Sequence, residues 1–260
     1  MTPATLARGQ SADLVPLFTS EKLKASTLRA ILTICLGAGL YGFTVGLWRG
    51  PEMALYVALK TPALLFCTLI ITGLLNGILG LLLGTGISFR QSLLCQLLAF
   101  SLASVVLASL APITFFLALE APAPDSPQAA TSHSLYLLTH TALIGMGGFL
   151  AVTRLFGLIR DLTPNYRAAC ITLLSWLASN AFVGAQLSYL LRPFFGSPNL
   201  EIEFLRPDPF NGTFYEAVWN ALNRFLSPQG ALTLIFAAFA LFAYFLSSLM
   251  NKPNSQKTKL

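Results

Sequence analysis

Six long runs of apolar residues constrain this chain more than any other feature of its sequence. A helix needs about 20 apolar residues to cross the hydrocarbon core of a bilayer. The runs that reach this length lie at residues 28–48, 62–86, 92–119, 135–158, 168–191 and 229–249. Within these limits no Asp, Glu, Lys or Arg lies deep inside a run. We therefore predict an all-α membrane protein, a bundle of six transmembrane helices that forms one domain over residues 1–260.

The composition supports membrane insertion and excludes nucleic acid as a partner. The chain is 55% hydrophobic and 10% charged, whereas soluble domains carry about 25% charged residues. Its net charge of +6 is explained by basic residues that flank the spans. Nucleic-acid sites use basic runs or basic residues interleaved with aromatics, and neither pattern occurs in this sequence. The bilayer is therefore the first predicted partner.

The basic residues also predict an orientation. If the N-terminus lies in the cytoplasm, eleven of the 16 Lys and Arg residues fall in inner segments and five in outer segments. The outer five are Arg49, Lys60, Arg192, Arg206 and Arg224. Because basic residues favour the cytoplasmic side, we expect the N-terminal segment 1–27 and the tail 250–260 in the cytoplasm, with the spans in a bacterial inner membrane. Residues 1–27 show no apolar core of signal-peptide type.

The predicted outer loop, residues 192–227, mixes prolines, charges and aromatics. Residues 200–205, "LEIEFL", alternate and suggest a short half-buried strand or an extended strip. Thr213 and Glu216 have the spacing of a capping box, which predicts an interfacial helix on the outer leaflet. This segment either caps the bundle or serves as a lid or docking surface. The residues predicted for that surface are Phe214, Tyr215, Trp219 and Phe225.

Five polar side chains fall inside the predicted spans: Asn76, Gln96, His140, Asn180 and Gln186. Such groups commonly hydrogen-bond between helices. The alternative is an intramembrane polar cluster, in which the four amides line a pore or a substrate site. His140 is interpreted as an interhelical donor, because the other histidine, His133, lies in a predicted loop and no Cys or carboxylate cluster accompanies them. No metal and no cofactor is predicted.

Glycines four residues apart recur in the first two spans. The pairs are Gly42 with Gly46, Gly73 with Gly77, and Gly80 with Gly84. Small residues at this spacing let helix backbones approach closely, which matters where lipid gives no hydrophobic drive for association. They predict tight packing of spans one and two, within the chain or with a partner. Residues 52–60 either lie flat on the membrane or extend span two outward.

Motifs of known catalytic chemistry are missing from the sequence. It has no HExxH or GxSxG motif, so hydrolase chemistry is not indicated. It has no Walker A or GxGxxG loop, so any use of ATP would need a separate subunit. The four cysteines lack a CxxC pair and are interpreted as small buried apolar side chains. These observations predict a protein that is not an enzyme.

Residues 37–112 resemble a group of bacterial multi-span proteins near the Yip1-like family. The resemblance rests on the "LYG" run, the glycine-rich spans and "GISFRQSL". It implies a non-enzymatic role in organising membranes or building complexes. Two features depart from the family pattern: Gly39 stands where an Asp usually precedes Leu-Tyr-Gly, and six spans are predicted instead of five.

Two functions are compatible with these patterns. The first is a scaffold or assembly subunit of an inner-membrane complex, with other membrane subunits or a second copy as partner. The second is the permease subunit of a transporter, served by a separate ATPase. A solvated cavity lined by the four amides would favour the permease, and a bundle packed solid would disfavour it.

Overall fold

The fold consists of helices joined by short turns and one longer irregular segment. The computed structural model describes residues 20–250 except Asn199, and no strand occurs among them. Residues 200–205 are irregular, so the strand, one of the two alternatives predicted there, is wrong.

Seven α-helices are described: α1 Ser20–Gly46, α2 Pro51–Leu82, α3 Phe89–Glu120, α4 Ala129–Leu162, α5 Tyr166–Leu190, α6 Phe214–Leu222 and α7 Pro228–Met250. The first five are long and apolar enough to cross a membrane, so the chain is an integral, multi-pass membrane protein. In α7 the apolar stretch found is shorter, Pro228–Leu241. The sixth span therefore stays a prediction.

Local capping explains where several helices begin. The Ser88 side chain accepts a hydrogen bond from the backbone N–H of Gln91, and the backbone N–H of Ser88 donates to the Gln91 side chain. This capping box starts α3. The predicted capping box of Thr213 and Glu216 is confirmed at the start of α6. Pro51 occupies the first position of α2, where its missing N–H costs nothing.

The helices pack as a ring with one helix beside it. α2, α3, α4 and α5 contact one another in succession and close through α5 and α2, while α1 packs across α2 and α3. The turn at Leu47–Arg49 and the segments 121–128 and 191–213 meet at one end, which we call the capped end. There the Trp48 indole donates to the carbonyl of Pro122 at 2.9 Å. The turns at 83–88 and 163–165 lie at the opposite end.

Close packing of α1 on α2 depends on two of the predicted glycines. A Cβ added at Gly46 would lie 2.6 Å from the Met53 carbonyl oxygen. One added at Gly42 would collide with Thr61 and with the backbone of Val57. A side chain at either position would therefore push the two backbones apart, and the contact lies within the chain.

The other predicted glycines have different surroundings. Gly73 and Gly77 face side chains of α3, among them Phe89. Gly80 lies beside the turn that follows α2, and Gly84 lies within that turn with φ of +59° and no atom close to its missing side chain. The pair Gly80 and Gly84 therefore serves the end of α2 and its turn, and not a helix crossing.

The cysteines divide between the core and the surface. All four are free thiols. Cys95 and Cys170 are buried as predicted, but Cys35 and Cys67 are exposed. The prediction of burial is wrong for these two because an apolar run does not reveal which side of a helix faces the bundle.

Candidate functional site

The five polar residues predicted as one intramembrane cluster lie in separate places. Asn76 and Gln96 hydrogen-bond to each other toward the opposite end of the bundle. His140 lies near the capped end against α1. Gln186 accepts a long hydrogen bond of 3.5 Å from the first residue of α6, and Asn180 has a buried side-chain oxygen without a partner. No common pore or substrate site joins them among the described residues.

Asn76 is the centre of an amide network that ties three helices together. Its Nδ2 donates to Oε1 of Gln96 at 2.9 Å, and its Oδ1 accepts from the hydroxyl of Ser179 at 2.6 Å. Gln96 in turn donates to Ser92 at 3.2 Å. Asn76 and Gln96 are fully buried, and the network joins α2, α3 and α5. Since both amides are satisfied by neighbouring side chains, this region of the bundle is closed.

A cavity of about 680 Å³ lies at the capped end. Four helices, α1, α2, α4 and α5, form its walls, and residues 192–213, which we call the capping segment, cover it. Its apolar lining includes Val45, Leu64, Ile144, Phe194 and Phe195. Cavities of roughly 300–1,000 Å³ with a mostly apolar lining hold small ligands in many proteins.

An aromatic group borders this cavity. The Tyr41 hydroxyl and Nδ1 of His140 are 2.8 Å apart and form a hydrogen bond. Phe195 of the capping segment stacks on the His140 ring at 5.4 Å, and Tyr136 lies 5.1 Å from it on the same helix. His140 Nε2 and the Tyr136 hydroxyl are both buried without a partner. It is unusual in a packed core for two neighbouring rings each to carry a buried polar atom without a hydrogen-bond partner.

Arg192 holds the capping segment in shape. Its guanidinium donates to four backbone carbonyls, those of Tyr189, Asp208, Pro209 and Asn211, at 2.7–3.2 Å. It also lies 3.9 Å from the centre of the Tyr189 ring. From the other side Arg49 donates to the carbonyl of Leu200 at 3.1 Å. The capping segment, whose described residues form no helix or strand, is thus held by hydrogen bonds from the guanidinium groups of Arg192 and Arg49 to its backbone carbonyls.

Lys60 is the functional candidate that the sequence interpretation missed. It lies in the first third of α2 and is 1% exposed. Its ammonium donates to the carbonyl of Pro193 at 2.8 Å and lies 4.9 Å from the ring centre of Phe204. No carboxylate of the described residues forms an ion pair with it. Lys60 lies outside the predicted span limits, and the structure shows a buried charge there, near the capped end of α2.

The helical spacing of residues 53–60 held the signal for Lys60. Met53 and Val57 are fully buried on the side of α2 that Lys60 continues. The sequence limits placed the start of the span at Pro62, which left Lys60 outside it. In the structure α2 runs unbroken from Pro51 through Pro62, which confirms that residues 52–60 extend span two.

The predicted docking residues are divided between surface and interior. Tyr215 and Phe225 are exposed by 46% and 44%, whereas Phe214 and Trp219 are half-buried and Phe214 lines the cavity. Tyr215 stacks on Phe182 of α5 and donates to its carbonyl at 3.3 Å. Partial burial raises the pKa of Tyr215, so this donor keeps its proton at neutral pH.

The site thus combines a covered apolar cavity, a buried unpaired ammonium and two orphaned polar atoms. Comparisons with protein-family models, with curated proteins and with solved structures find no match for this chain. The resemblance to the Yip1-like group therefore stays a prediction, and function rests on the geometry alone.

Proposed function

We propose that this chain is a non-enzymatic subunit of a membrane assembly in a bacterial inner membrane. The observation that carries the proposal is the isolation of α7. Of its side chains that the structure describes, only Ala231 is buried. The exposed large side chains are Leu232, Leu234, Ile235, Phe236, Phe239, Leu241 and Tyr244. An apolar helix that packs so little on its own bundle is available to a helix of another subunit.

The lengths of the last two helices support six spans and an interfacial helix. α7 has 23 residues, about 35 Å at 1.5 Å per residue, which exceeds the hydrocarbon thickness of about 30 Å. α6 has nine residues and is too short to cross. Both termini are then cytoplasmic, and the capping segment faces outward.

Reporter fusions test this topology. We expect an alkaline phosphatase fused after Asp125 to be active and one fused after Lys257 to be inactive, with the reverse for a fluorescent reporter that matures in the cytoplasm. Equal reporter activity at the two positions would place them on one side and contradict the six-span arrangement.

Photo-crosslinking in cells tests the partner. A photoreactive amino acid at Phe239, exposed on α7, should yield a discrete protein adduct of defined mass. The matched control is Leu36, which is exposed on α1 to a similar degree and should yield lipid adducts without a defined protein band. Lipid adducts alone at both positions, together with a monomer of 28.0 kDa in mild detergent, would refute the assembly role.

The permease remains a second candidate because of the cavity at the capped end. Against it, the described cavity lining contains none of the four predicted amides, and the Asn76 network closes the opposite half. A transport path needs that network to open. Water-soluble thiol reagents provide the test: reaction of a cysteine placed at Thr72, with the native cysteines replaced, would support a path, and protection would disfavour it.

A further inference from the structure

We propose that the cavity at the capped end binds an anionic amphiphile, with its acidic head at Lys60 and Arg206 and its apolar chain along Leu64 and Ile144. The site is independent of the assembly role, since α7 contributes nothing to its lining.

The first argument is a pair of cations with unused N–H donors beneath the capping segment. Lys60 has three N–H donors, and the hydrogen bond to Pro193 uses one of them. Arg206 lines the cavity. Its Nη1 pairs with Glu203 at 2.6 Å, but its Nη2 is buried without a partner. The charges of Lys60 and Arg206 also repel each other, so an anion between them would satisfy donors on both side chains and remove the repulsion.

The second argument is the cost of this arrangement without a ligand. A buried ammonium that lacks an anionic partner loses its hydration and is destabilising by several kcal/mol. The rings of Phe194 and Phe204 offset a part of that cost, since a cation near an aromatic face is attracted by the electron density of the ring. One carbonyl and two rings are a weak environment for a charge, and Glu203, which lines the cavity, is paired with Arg206 and not with Lys60.

The third argument is the shape and lining of the cavity. The Lys60 ammonium is not itself part of the lining, but Pro193 and Phe194, which contact it, belong to the cavity wall, so the head site lies directly behind that wall. Leu64 and Ile144 line the space on α2 and α4. Ile144 is exposed as well, so an acyl chain has an apolar route from the bilayer side. A ligand with an acidic head for the two cations and an apolar tail for the cavity is an anionic amphiphile.

A purely structural role for Lys60 makes the opposite prediction for one variant. If the ammonium serves only to hold Pro193, then Lys60→Met removes a useful hydrogen bond and lowers the melting temperature. If the charge is kept for a ligand, Lys60→Met removes an uncompensated charge and leaves the ligand-free protein as stable or more stable. Methionine matches the lysine stem in length, so packing changes little.

The experiment measures melting temperature in a non-ionic detergent with added probes. Palmitate and dodecyl phosphate carry the head and the tail, dodecanol carries the tail alone, and inorganic phosphate is a head without a tail. We expect wild type to gain stability with palmitate and dodecyl phosphate and not with the other two. Native mass spectrometry should show one adduct per chain.

Three variants sharpen the test. Lys60→Met should weaken palmitate binding by at least about ten-fold, the effect of losing one charge-assisted hydrogen bond, without lowering the ligand-free melting temperature. Ile144→Trp should fill the tail space and abolish binding. Arg224→Gln removes an exposed cation in the turn after α6 and should bind as wild type.

Some outcomes would overturn the proposal. These are equal stabilisation by dodecanol and palmitate, unchanged palmitate binding in Lys60→Met, or a lower ligand-free melting temperature of that variant. Binding that survives Ile144→Trp would place the amphiphile elsewhere. A protein that binds palmitate as expected and yields no partner adduct at Phe239 would retain the site and lose the assembly role.

Discussion

The capped half and the opposite half of this bundle treat buried polarity in different ways. In the opposite half the amides of Asn76 and Gln96 are neutral, and their hydrogen bonds close on Ser179 and on each other. In the capped half Lys60 is charged and unpaired, and His140 keeps an orphaned nitrogen beside a cavity. The first arrangement stabilises a closed bundle. The second leaves buried donors and acceptors without partners.

The largest expected effect concerns the contact between α1 and α2 at the capped end. Gly46→Leu places a side chain where the Met53 backbone already lies, and a backbone cannot move aside as a side chain can. Overpacking costs about 1–3 kcal/mol or more, and we expect the upper end, with little folded protein recovered. Gly145→Leu is the control, because the space around Gly145 is open. Equal yields of the two variants by size-exclusion chromatography would show that α1 and α2 need no close contact.

A pair of hydroxyl deletions tests the orphaned atoms. Tyr41→Phe removes the partner of His140 and should cost about 1–3 kcal/mol, because it leaves a buried imidazole unsatisfied. Tyr136→Phe removes a buried hydroxyl that has no partner and should be neutral or stabilising. Chemical unfolding in mixed micelles measures both. Similar losses in the two variants would mean that the Tyr136 hydroxyl is satisfied in the membrane, and the contrast between the halves would weaken.

Each hydrogen bond of the amide network should contribute less to the free energy of unfolding than the bond between Tyr41 and His140. Asn76→Leu breaks the bonds to Gln96 and Ser179, and interhelical hydrogen bonds in membranes average about 0.6 kcal/mol. We expect a loss of about 1–2 kcal/mol. Asn180→Leu, at a position whose side-chain oxygen lacks a partner, should cost less. A double-mutant cycle of Asn76→Leu with Ser179→Ala isolates the coupling, and a coupling near zero would contradict the network.

The smallest expected effect is local to the capping segment. Arg192→Lys keeps the charge but cannot reproduce a planar guanidinium that donates to four carbonyls. The bundle should keep its melting temperature, while proteolysis within 200–212 becomes several-fold faster because local opening needs less free energy. Arg224→Lys, at an exposed position, serves as the control. Unchanged cleavage would show that Arg49 and the aromatic contacts suffice.

The helices could be predicted from the sequence because lipid imposes a simple rule of length and hydropathy. The capping box of Thr213 and Glu216 was equally accessible, since it depends on residues three apart. The start of α2 was placed too late because Pro62 resembled a helix boundary. Pro62 has no N–H to donate to the Ala58 carbonyl, yet α2 continues across the proline. Gly39 of α1 lies close to that carbonyl.

The cavity and its surroundings lay beyond prediction from the sequence. Phe195 stacks on His140 although the two are 55 positions apart, and no local pattern encodes that contact. Lys60 could be placed on the buried side of a helix only once residues 52–60 were assigned to span two. The apolar space exists because a segment rich in proline and charge folds back over the helix ends, and nothing in its composition reveals where it will rest.

The grip of Arg192 on four backbone carbonyls has an evolutionary consequence. Carbonyls are the same in every residue type, so the outline of residues 192–211 depends little on which side chains they carry. An exposed position such as Phe210 is then free to diverge between related organisms while the loop keeps its form. Single substitutions can therefore change the contacts of the outer surface while the capping segment keeps its backbone conformation over the cavity.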